Sequence, residues 1–527
     1  MKKILISDKL ATDGINYLKA QSDIYIHFET GLSEDALCEI IGEFDALLIR
    51  SDTQVTPKLL HAAKKLTLIG RAGIGVDNVD ISAATEMGVI VMNTPDANAT
   101  TTAELTIAHL MSLSRHLPAA DRSVRAGKWE RSKFTGSEVA QKTLGIIGFG
   151  TIGRLVARRA AVLQMNVIAF DPFVSPEIYT DLGVKSVSLD DLVSRSDYIT
   201  LHCPLIEKTR NIISATQFDK MKSSAMLVNC ARGGLIDEVA LYDALKNKKI
   251  AGAALDVFDV EPPSDSPLLT LENIVFTPHL GASTNEAQLA VSVEIAKQAV
   301  IFLRTGEAIN ALNLPRVSAD ELKKSSDFVT LATQLGKVLA ALSSAPLTKI
   351  EVALFGKAAD VPPRPVSVAT LIGVLSGQFS TPVNRVNAEA IAKRQGLALV
   401  ETVSQESQDY VSLIKLTGFS AEQTTSISGV LLGGRQPRLV SINDLDIEVI
   451  PDGTLLMTVH DDKPGVISVI SAILGQANIN ISRMQVSAVD SQDRAMAVIS
   501  ISESLDAALL SQVSALASVH QVTQIVL

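Results

Sequence analysis

Short apolar runs alternate with longer amphipathic segments along the first part of the chain. The runs Ile4–Ser7, Ala46–Arg50 and Leu66–Gly70 are apolar at nearly every position instead of at every second one. Such runs are typical of strands that are buried on both faces of a parallel sheet. Because the segments between them have helical periodicity, the pattern predicts a doubly wound α/β sheet.

A second series of apolar runs predicts another α/β block in the middle of the chain. Its predicted strands are Thr143–Gly148, Val167–Phe170, Tyr198–His202, Ala225–Asn229 and Ala251–Val257. Two predicted helices frame the block, and each has a Ser or Thr followed three residues later by Glu, which is a capping-box pattern. These pairs are Thr101 with Glu104, opening a helix toward Arg115, and Ser283 with Glu286, opening a helix to about Arg304.

Two further units follow a predicted domain boundary at Ala311–Arg316. Residues 317–450 have an α/β pattern in which we find no catalytic constellation. From residue 453 onward, strands and helices alternate in a way that predicts a βαββαβ unit. The strands located there are Leu455–His460, Ser482–Val489 and Ala495–Ser502, and the helices are Pro464–Ala477 and Leu505–Ala515.

Composition and charge narrow the classes of protein that fit. With 527 residues the chain has room for three or four domains, and its net charge of −10 argues against a protein that coats nucleic acid or an anionic membrane. Three scattered cysteines are too few for a disulfide framework or a zinc site, so we expect no metal. No apolar stretch is long enough for a signal peptide or a membrane span. We therefore expect a soluble cytoplasmic protein, or a plastid-stroma protein if the source is a plant.

The segment Gly148-Phe-Gly150-Thr-Ile-Gly153 matches the G-x-G-x-x-G pattern of dinucleotide-binding folds. In its predicted strand–turn–helix context, Gly148 would permit the tight turn, Gly150 the approach of a pyrophosphate, and Gly153 close packing. Asp171, at the end of the next predicted strand, can accept hydrogen bonds from ribose hydroxyls and would repel the extra phosphate of NADP. The pattern therefore favours NAD, with a structural turn beside an unrelated Asp as the alternative.

Three more segments, which contain Arg232, Glu261 and His279, each follow a predicted strand. They therefore lie at the edge where open α/β sheets bind ligands. His279 is suited to accept a hydroxyl proton, and Glu261 to orient its imidazole. Arg232 is suited to hold a substrate carboxylate with a two-pronged hydrogen bond. Taken singly, each residue also has an ordinary structural explanation, and spacing alone does not assemble them into one site.

Together these motifs resemble those of the NAD-dependent D-2-hydroxyacid dehydrogenases, and in particular the long-form branch that acts on 3-phosphoglycerate. The resemblance covers essentially the whole chain. It is carried most specifically by Gly70–Asp80, Gly148–Gly153, Asn229–Gly234, Asp256–Pro262 and His279–Thr284. It implies NAD-dependent oxidation of 3-phospho-D-glycerate to 3-phosphohydroxypyruvate, the first step of L-serine biosynthesis.

The resemblance also assigns roles residue by residue. Arg232, Glu261 and His279 match the family's catalytic Arg, Glu and His. The residues that match cofactor contacts are Gly148, Gly150, Thr151, Ile152, Gly153, Asp171, Cys203, Cys230, Ala231, Asp256, Gly281 and Ala282. Those that match substrate contacts are Arg50, Ser51, Arg71, Gly73, Asn98 and Arg131. Arg131 lies in a basic segment, Lys128–Lys133, which resembles one that reaches a neighbouring subunit; a solvated helix end with one buried Trp is the alternative.

The family fold implies four domains. Residues 1–97 and 283–311 would form a discontinuous substrate-binding domain, with a Rossmann-like NAD-binding domain, 98–282, inserted between them. Residues 317–450 would form an α+β intervening domain of the allosteric substrate-binding type, and 453–527 an ACT domain. A homo-oligomer, dimer or tetramer, is expected.

The family further implies a regulatory role for the terminal domain. In some relatives L-serine binds between two ACT domains, and His460, Asp462 and Asn480 match that ligand site. Position 460 is His where serine-sensitive relatives can carry Tyr, so an assembly module without an effector stays open as the alternative.

Two other functions stay open at this point. One is a sister D-2-hydroxyacid dehydrogenase or a glyoxylate/hydroxypyruvate reductase, against which the arginines and the long C-terminal part argue. The other is a non-catalytic NAD-sensing regulator, against which the presence of Arg232, Glu261 and His279 argues.

Overall fold

The computed structural model of the chain describes residues 1–95, 97–315, 317–379, 382–407, 409–489 and 493–527. Its strands are β1 (Lys2–Ile6), β2 (Ile24–Phe28), β3 (Ala46–Ile49), β4 (Leu68–Arg71), β5 (Ile90–Met92), β6 (Thr143–Ile147), β7 (Asn166–Phe170), β8 (Lys185–Ser186), β9 (Tyr198–Leu201), β10 (Met226–Asn229), β11 (Gly252–Leu255), β12 (Ile274–Phe276), β13 (Leu347–Gly356), β14 (Ala398–Ser404), β15 (Ser412–Ser420), β16 (Thr424–Leu432), β17 (Gln436–Ile442), β18 (Leu445–Val449), β19 (Thr454–Asp461), β20 (Ile481–Val489), β21 (Arg494–Ile501) and β22 (Val519–Val526). Its helices are α1 (Thr12–Lys19), α2 (Glu34–Ile40), α3 (Pro57–Ala62), α4 (Ile81–Glu86), α5 (Ala99–Ser114), α6 (Leu117–Arg125), α7 (Thr151–Val162), α8 (Pro176–Asp181), α9 (Leu189–Arg195), α10 (Ala215–Phe218), α11 (Glu238–Lys246), α12 (Asn285–Thr305), α13 (Ala319–Leu342), α14 (Pro363–Leu375), α15 (Ala388–Arg394), α16 (Val466–Gln476) and α17 (Ala507–Ser514). Within these described ranges, no helix is long and apolar enough to cross a membrane.

The first sheet is parallel throughout, with the strand order β2-β1-β3-β4-β5. Its central strands are buried on both faces, as their continuous apolar runs predict. Leu48 packs in the cluster that contains Ile295 of α12, whereas Leu47, on the opposite face, packs in the cluster that contains Leu59 of α3. The late helix α12 therefore completes the core of a domain that begins at the N-terminus.

The second sheet is also parallel, with the order β12-β11-β10-β9-β6-β7-β8. The chain runs from β6 to β7 on one side and then continues with β9 on the other side of β6. This reversal is a topological switch point, where open α/β sheets form a ligand crevice at the carboxyl ends of their strands. The crevice here lies between the ends of β6 and β9.

The helices α5 and α12 join the two domains, and both capping-box predictions for them are wrong. The helix α5 begins at Ala99, so Thr101 lies inside its first turn; the hydroxyl of Thr101 lies 3.3 Å from that of Thr284. The helix α12 is capped by Thr284, not by Ser283, and the Oγ1 of Thr284 accepts a hydrogen bond from the Ala287 amide. The helix α5 thus begins two residues before the predicted cap, and the cap of α12 lies one residue after the predicted one. The predicted domain limits beside these helices stay predictions.

Two smaller sheets follow. A mixed six-stranded sheet has the order β14-β13-β15-β16-β17-β18, and an antiparallel sheet has the order β20-β21-β19-β22 with α16 and α17 between its strands. The latter is a βαββαβ unit, and β22 is the strand that sequence patterns did not locate. The predicted fold class, two parallel-sheet α/β domains followed by an α+β domain and a βαββαβ domain, is confirmed.

Candidate active site

The three glycines of the G-x-G-x-x-G segment occupy three different environments. Gly148 has a φ of 91°, and a Cβ there would lie 2.6 Å from the Cys203 amide nitrogen. A Cβ on Gly153 would lie 2.3 Å from the carbonyl oxygen of Gly148. A Cβ on Gly150 would meet nothing within 4 Å, because this glycine faces open space at the start of α7. The loop thus has the tight turn, the close packing and the open backbone that a pyrophosphate site requires.

Asp171 lies directly after β7, at the same edge of the sheet. Its Oδ2 accepts a hydrogen bond of 2.8 Å from the Phe149 amide, and its Oδ1 accepts one of 3.0 Å from the Phe173 amide. These bonds fix the carboxylate beside the glycine loop, and each oxygen keeps a lone pair for a ribose hydroxyl. Together with the open cradle at Gly150, this donor and acceptor set fits a dinucleotide such as NAD.

His279 and Glu261 form a hydrogen-bonded pair at the mouth of this domain. The Nδ1 of His279 lies 2.7 Å from the Oε2 of Glu261, while Oε1 accepts a bond of 3.1 Å from the Phe258 amide. Burial raises the pKa of Glu261, but the hydrogen bond and charge of His279 outweigh it, so the net pKa is lowered. Because an ionised carboxylate only accepts, Nδ1 of His279 carries the proton and Nε2 is left as the basic nitrogen.

Asp256 holds the loop that carries His279. It is fully buried, and its carboxylate accepts hydrogen bonds from the Thr277 hydroxyl at 2.5 Å, the Leu280 amide at 2.7 Å and the Gly281 amide at 2.8 Å. The backbone of His279 has a φ of 54°, a left-handed conformation that costs a non-glycine residue of order 1 kcal/mol. Charge-assisted hydrogen bonds of this kind are strong enough to offset that cost.

A buried histidine extends this network. The Nε2 of His109, on α5, lies 3.0 Å from the Oγ1 of Thr277. Burial lowers the pKa of His109, with the charge of Asp256 opposing the shift. A neutral His109 can donate to Thr277, whose own hydroxyl hydrogen then points to Asp256. Sequence patterns identified Asp256 but neither His109 nor Thr277 as part of the site.

Arginines from both domains meet in the cleft. Burial, followed by the charges of Arg232 and Arg50, lowers the pKa of Arg71 to about 10, so this group is protonated at neutral pH. Arg232 donates from Nη1 to the Ala231 carbonyl at 2.6 Å, and its Nε lies 2.8 Å from the Oδ2 of Asp77. Several guanidinium groups in one cleft suit a ligand with more than one negative charge.

The Arg50–Thr53 loop is shaped by a residue that the sequence patterns missed. Asp8, 2% exposed at the end of β1, accepts hydrogen bonds from the amides of Arg50 at 2.6 Å and Asp52 at 3.1 Å. Asn78 supports the same loop by donating to the Arg50 carbonyl at 2.9 Å. Asp8 follows a buried parallel strand, so the rule that selected Asp171 could have found it too.

A cavity of about 620 Å³ lies between the two parallel-sheet domains. The predicted site residues that line it are Ser51, Arg71, Arg232, Glu261 and His279, and it is also lined by Gln54, Asp77, Asn78 and Arg210, which were not predicted. The structure therefore brings the three candidate catalytic side chains into one cleft with Arg71 and Ser51.

Other predicted substrate residues lie behind this cavity or away from it. Gly73 is buried, and its amide donates to the Thr94 hydroxyl at 2.8 Å. Asn98 is 6% exposed, and its Oδ1 has no partner among the described residues. Arg131 lies outside the cavity, with its guanidinium 5.7 Å from the ring of Trp129. Trp129 is 75% exposed, which rules out the buried Trp of the alternative interpretation.

The cysteines near the crevice have protonated thiols. Burial raises the pKa of Cys203 to about 11 and raises that of Cys230 further. Neither group therefore has the thiolate character of a nucleophile at neutral pH. In the described part of the chain, no group of three or more His, Cys, Asp or Glu side chains is arranged to hold a metal ion.

The three candidate effector residues are not adjacent within one chain. His460 is 2% exposed, and its Nδ1 lies 3.3 Å from the Thr458 hydroxyl; burial lowers its pKa. Asp462 follows the end of β19, whereas Asn480 precedes the start of β20, which runs in the same direction. The length of an eight-residue strand, about 26 Å, separates those two edges of the sheet.

Comparisons with known proteins agree with this architecture. Residues 107–281 match the NAD-binding domain of D-isomer specific 2-hydroxyacid dehydrogenases, 324–443 match the D-3-phosphoglycerate dehydrogenase intervening domain, and 453–518 match the ACT domain. The D-3-phosphoglycerate dehydrogenase of Synechocystis sp. is 40% identical over 521 residues, 99% of this chain and 94% of the relative. That of Methanocaldococcus jannaschii is 42% identical over 487 residues, 92% of each chain.

A solved structure is similar to the larger part of this chain. D-lactate dehydrogenase from Aquifex aeolicus, complexed with NAD and lactic acid, superposes with a TM-score of 0.53 at 27% identity, covering 59% of this chain and 99% of that one. The long relatives are matched over nearly their whole length. The chain therefore belongs to the D-3-phosphoglycerate dehydrogenases, within the family of D-isomer specific 2-hydroxyacid dehydrogenases.

Proposed function

We propose that the protein oxidises 3-phospho-D-glycerate to 3-phosphohydroxypyruvate with NAD, the reaction that opens the route to L-serine. The observation that carries the proposal is the cleft in which a His–Glu pair faces arginines from two domains. A ligand with a hydroxyl, a carboxylate and a phosphate would use all of these groups. When bound, NAD supplies the acceptor for the hydride that leaves C2 of the substrate.

In this proposal His279 accepts the proton of the C2 hydroxyl at Nε2. Glu261 stabilises the imidazolium that forms, because its carboxylate bonds to Nδ1. Arg232 holds the substrate carboxylate so that C2 lies beside the nicotinamide, and Arg71 with Arg50 provides positive charge for the phosphate. Asp256 keeps His279 in place through the loop contacts described above.

Gly148, Gly150 and Gly153, with the first turn of α7 at Thr151 and Ile152, would hold the pyrophosphate. Asp171 would accept from the adenosine ribose. The other cofactor contacts proposed are Cys203, Cys230, Ala231, Asp256, Gly281 and Ala282. This assignment is supported by the position of these residues along the edge where the strands of the second sheet have their carboxyl ends.

Steady-state kinetics with 3-phosphoglycerate and with D-glycerate would test the substrate assignment. We expect removal of the phosphate to lower kcat/KM by at least a hundredfold, because partly buried cations would be left without their anion. Equal kcat/KM values for the two substrates would contradict the assignment and favour a sister D-2-hydroxyacid dehydrogenase. Replacing NAD with NADP should also lower kcat/KM, owing to repulsion by Asp171.

We also propose a homo-oligomer in which Arg131 enters the cleft of a neighbouring subunit. The exposed side chain of Trp129 beside it supports this proposal. Mixing an Arg131→Ala variant with a His279→Ala variant, after dissociation and reassembly, should restore part of the activity, since some clefts then contain both native residues. No gain over the unmixed variants would contradict it. The tetrameric state, the serine effector and the cytoplasmic location stay predictions.

A further inference from the structure

We infer that Asp77 is a positioning residue: from the first domain, it holds the Arg232 guanidinium of the second domain in the cleft before substrate binds. The inference rests on the proposed function, because it concerns how the carboxylate-binding arginine is presented.

The contact between these two residues crosses the cleft. Arg232 follows β10 of the second sheet, whereas Asp77 lies in the loop between β4 and α4 of the first domain. The Nε of Arg232 lies 2.8 Å from the Oδ2 of Asp77, and the side chains are 26% and 67% exposed. An arginine has five N–H donors, so this ion pair and the bond to the Ala231 carbonyl leave donors for a ligand.

The loop that carries Asp77 is shaped to admit the guanidinium. A Cβ on Gly75 would lie 2.1 Å from the Nη2 of Arg232 and 3.1 Å from the Oδ2 of Asp77. Gly75 is outside the left-handed φ region, so its backbone does not demand glycine. The close approach of Arg232 is therefore the feature that a side chain at position 75 would disturb.

Charge explains why a carboxylate is needed at this place. The positive charges of Arg232 and Arg50 lower the pKa of Arg71, so the three arginines repel one another. The negative charge of Asp77 opposes that shift. Asp259 and Glu261 also line the cavity, and Glu261 is hydrogen-bonded to His279. Among the described residues, Asp77 is the carboxylate within ion-pair distance of Arg232. Asp77 is thus the anion paired with Arg232 until the substrate brings its own negative charges.

The expected consequence appears in substrate binding more than in turnover. Without the charge of Asp77, the substrate carboxylate must itself draw Arg232 into place, and this ordering reduces affinity. Once substrate is bound, its carboxylate holds the guanidinium and the chemical step proceeds as before. An Asp77→Asn variant should therefore raise the KM for 3-phosphoglycerate at least tenfold and change kcat less than threefold.

The test is steady-state kinetics of the full-length Asp77→Asn variant, with NADH affinity measured by fluorescence titration. NADH affinity should equal that of the wild type, and Asp77→Glu should recover part of the lost KM. The matched control is Asp35→Asn, which removes an exposed carboxylate that pairs with Lys58 on the same domain; its KM should not change. An unchanged or lowered KM in Asp77→Asn, or a loss confined to kcat, would overturn the inference.

A second variant covers the case in which Asp77→Asn does not fold. Gly75→Ala keeps the charge of Asp77 but displaces the guanidinium, so KM should again rise with kcat retained; an unchanged KM would overturn the inference. If the wild type itself does not turn over 3-phosphoglycerate with NAD, the proposed function fails instead. A wild type that turns over with a KM equal to that of the variants removes only the role of Asp77.

Discussion

The cleft between the parallel-sheet domains and the terminal βαββαβ domain differ in how they place their candidate ligand groups. In the cleft, loops from two domains of the same chain converge, so that Arg71, Arg232, Glu261 and His279 line one cavity. In the terminal domain, Asp462 and Asn480 lie at opposite edges of one sheet. The first arrangement can bind a ligand within one chain, whereas the second can join its two residues only if another copy contributes one of them.

The largest effect is expected from removing the base in the cleft. His279→Ala should lower kcat by a hundredfold or more, about 3 kcal/mol in transition-state stabilisation, because no other group would take the hydroxyl proton. His61→Ala, which removes an exposed histidine on α3, is the control and should retain full activity. Steady-state kinetics would check both, and turnover equal to the wild type in His279→Ala would refute the assigned role.

Oligomers that are reassembled from two different variants test whether the cleft is formed by a single chain. Because His279 and Arg232 line one chain's cavity, mixed oligomers of His279→Ala and Arg232→Lys should gain no activity over the unmixed variants. Restored activity in the mixture would show that the two groups can act from different chains.

A smaller effect is expected from loosening the loop that carries His279. Thr277→Val removes the hydroxyl that bridges His109 and Asp256, so kcat should fall about tenfold, the size expected for one charge-assisted hydrogen bond. Thr277→Ser keeps the hydroxyl and should stay within threefold of the wild type. If the Ser and Val variants behave alike in kinetics, the bridge has no part in positioning His279.

The sequence patterns selected loop residues that the structure brings together in one cavity, whereas they misplaced the caps of α5 and α12. The glycines around Gly148, and residues such as Asp171 that follow buried strands, are fixed by rules of backbone geometry and sheet topology that act locally. The partner of Arg232 at Asp77, by contrast, depends on which distant segment packs nearby. Such contacts cannot be predicted from the pattern of apolar and polar positions along the sequence, because a hydroxyl or a carboxylate in a loop has many alternative partners.

Mixing variants of the terminal domain is expected to restore serine binding. This is the opposite of the mixture of His279→Ala and Arg232→Lys, which should gain no activity. If serine binds across two chains, Asp462→Asn and Asn480→Ala should each reduce serine binding severalfold. Oligomers mixed from both variants should recover part of it, since one of the two sites at each mixed interface pairs the native residues. Calorimetric titration with L-serine would measure this, and a mixture no better than its components would contradict the two-chain site. Absence of serine binding by the wild type would favour the assembly role.

The smallest effect concerns the acid stability of the cleft. The folded-state pKa of Glu261 is lowered, so its carboxylate contributes stability above its ordinary pKa of 4.5, and this is lost as the pH falls through the lower folded value. Since the pair is partly exposed, Glu261→Gln should reduce the free energy of unfolding by less than about 1 kcal/mol. Urea unfolding should show a difference that shrinks as the pH falls below 4.5. A difference that grows as the pH falls below 4.5 would contradict the lowered pKa.

The two connections between the first domains lie side by side, with the hydroxyls of Thr101 and Thr284 3.3 Å apart. The chain thus leaves the first domain and returns to it at neighbouring points. Inserting it between β5 and α12 closes only a short gap in the host domain, which keeps the entropic cost of the long excursion low. Another dinucleotide-binding domain with neighbouring ends could be grafted at this point without altering the first sheet.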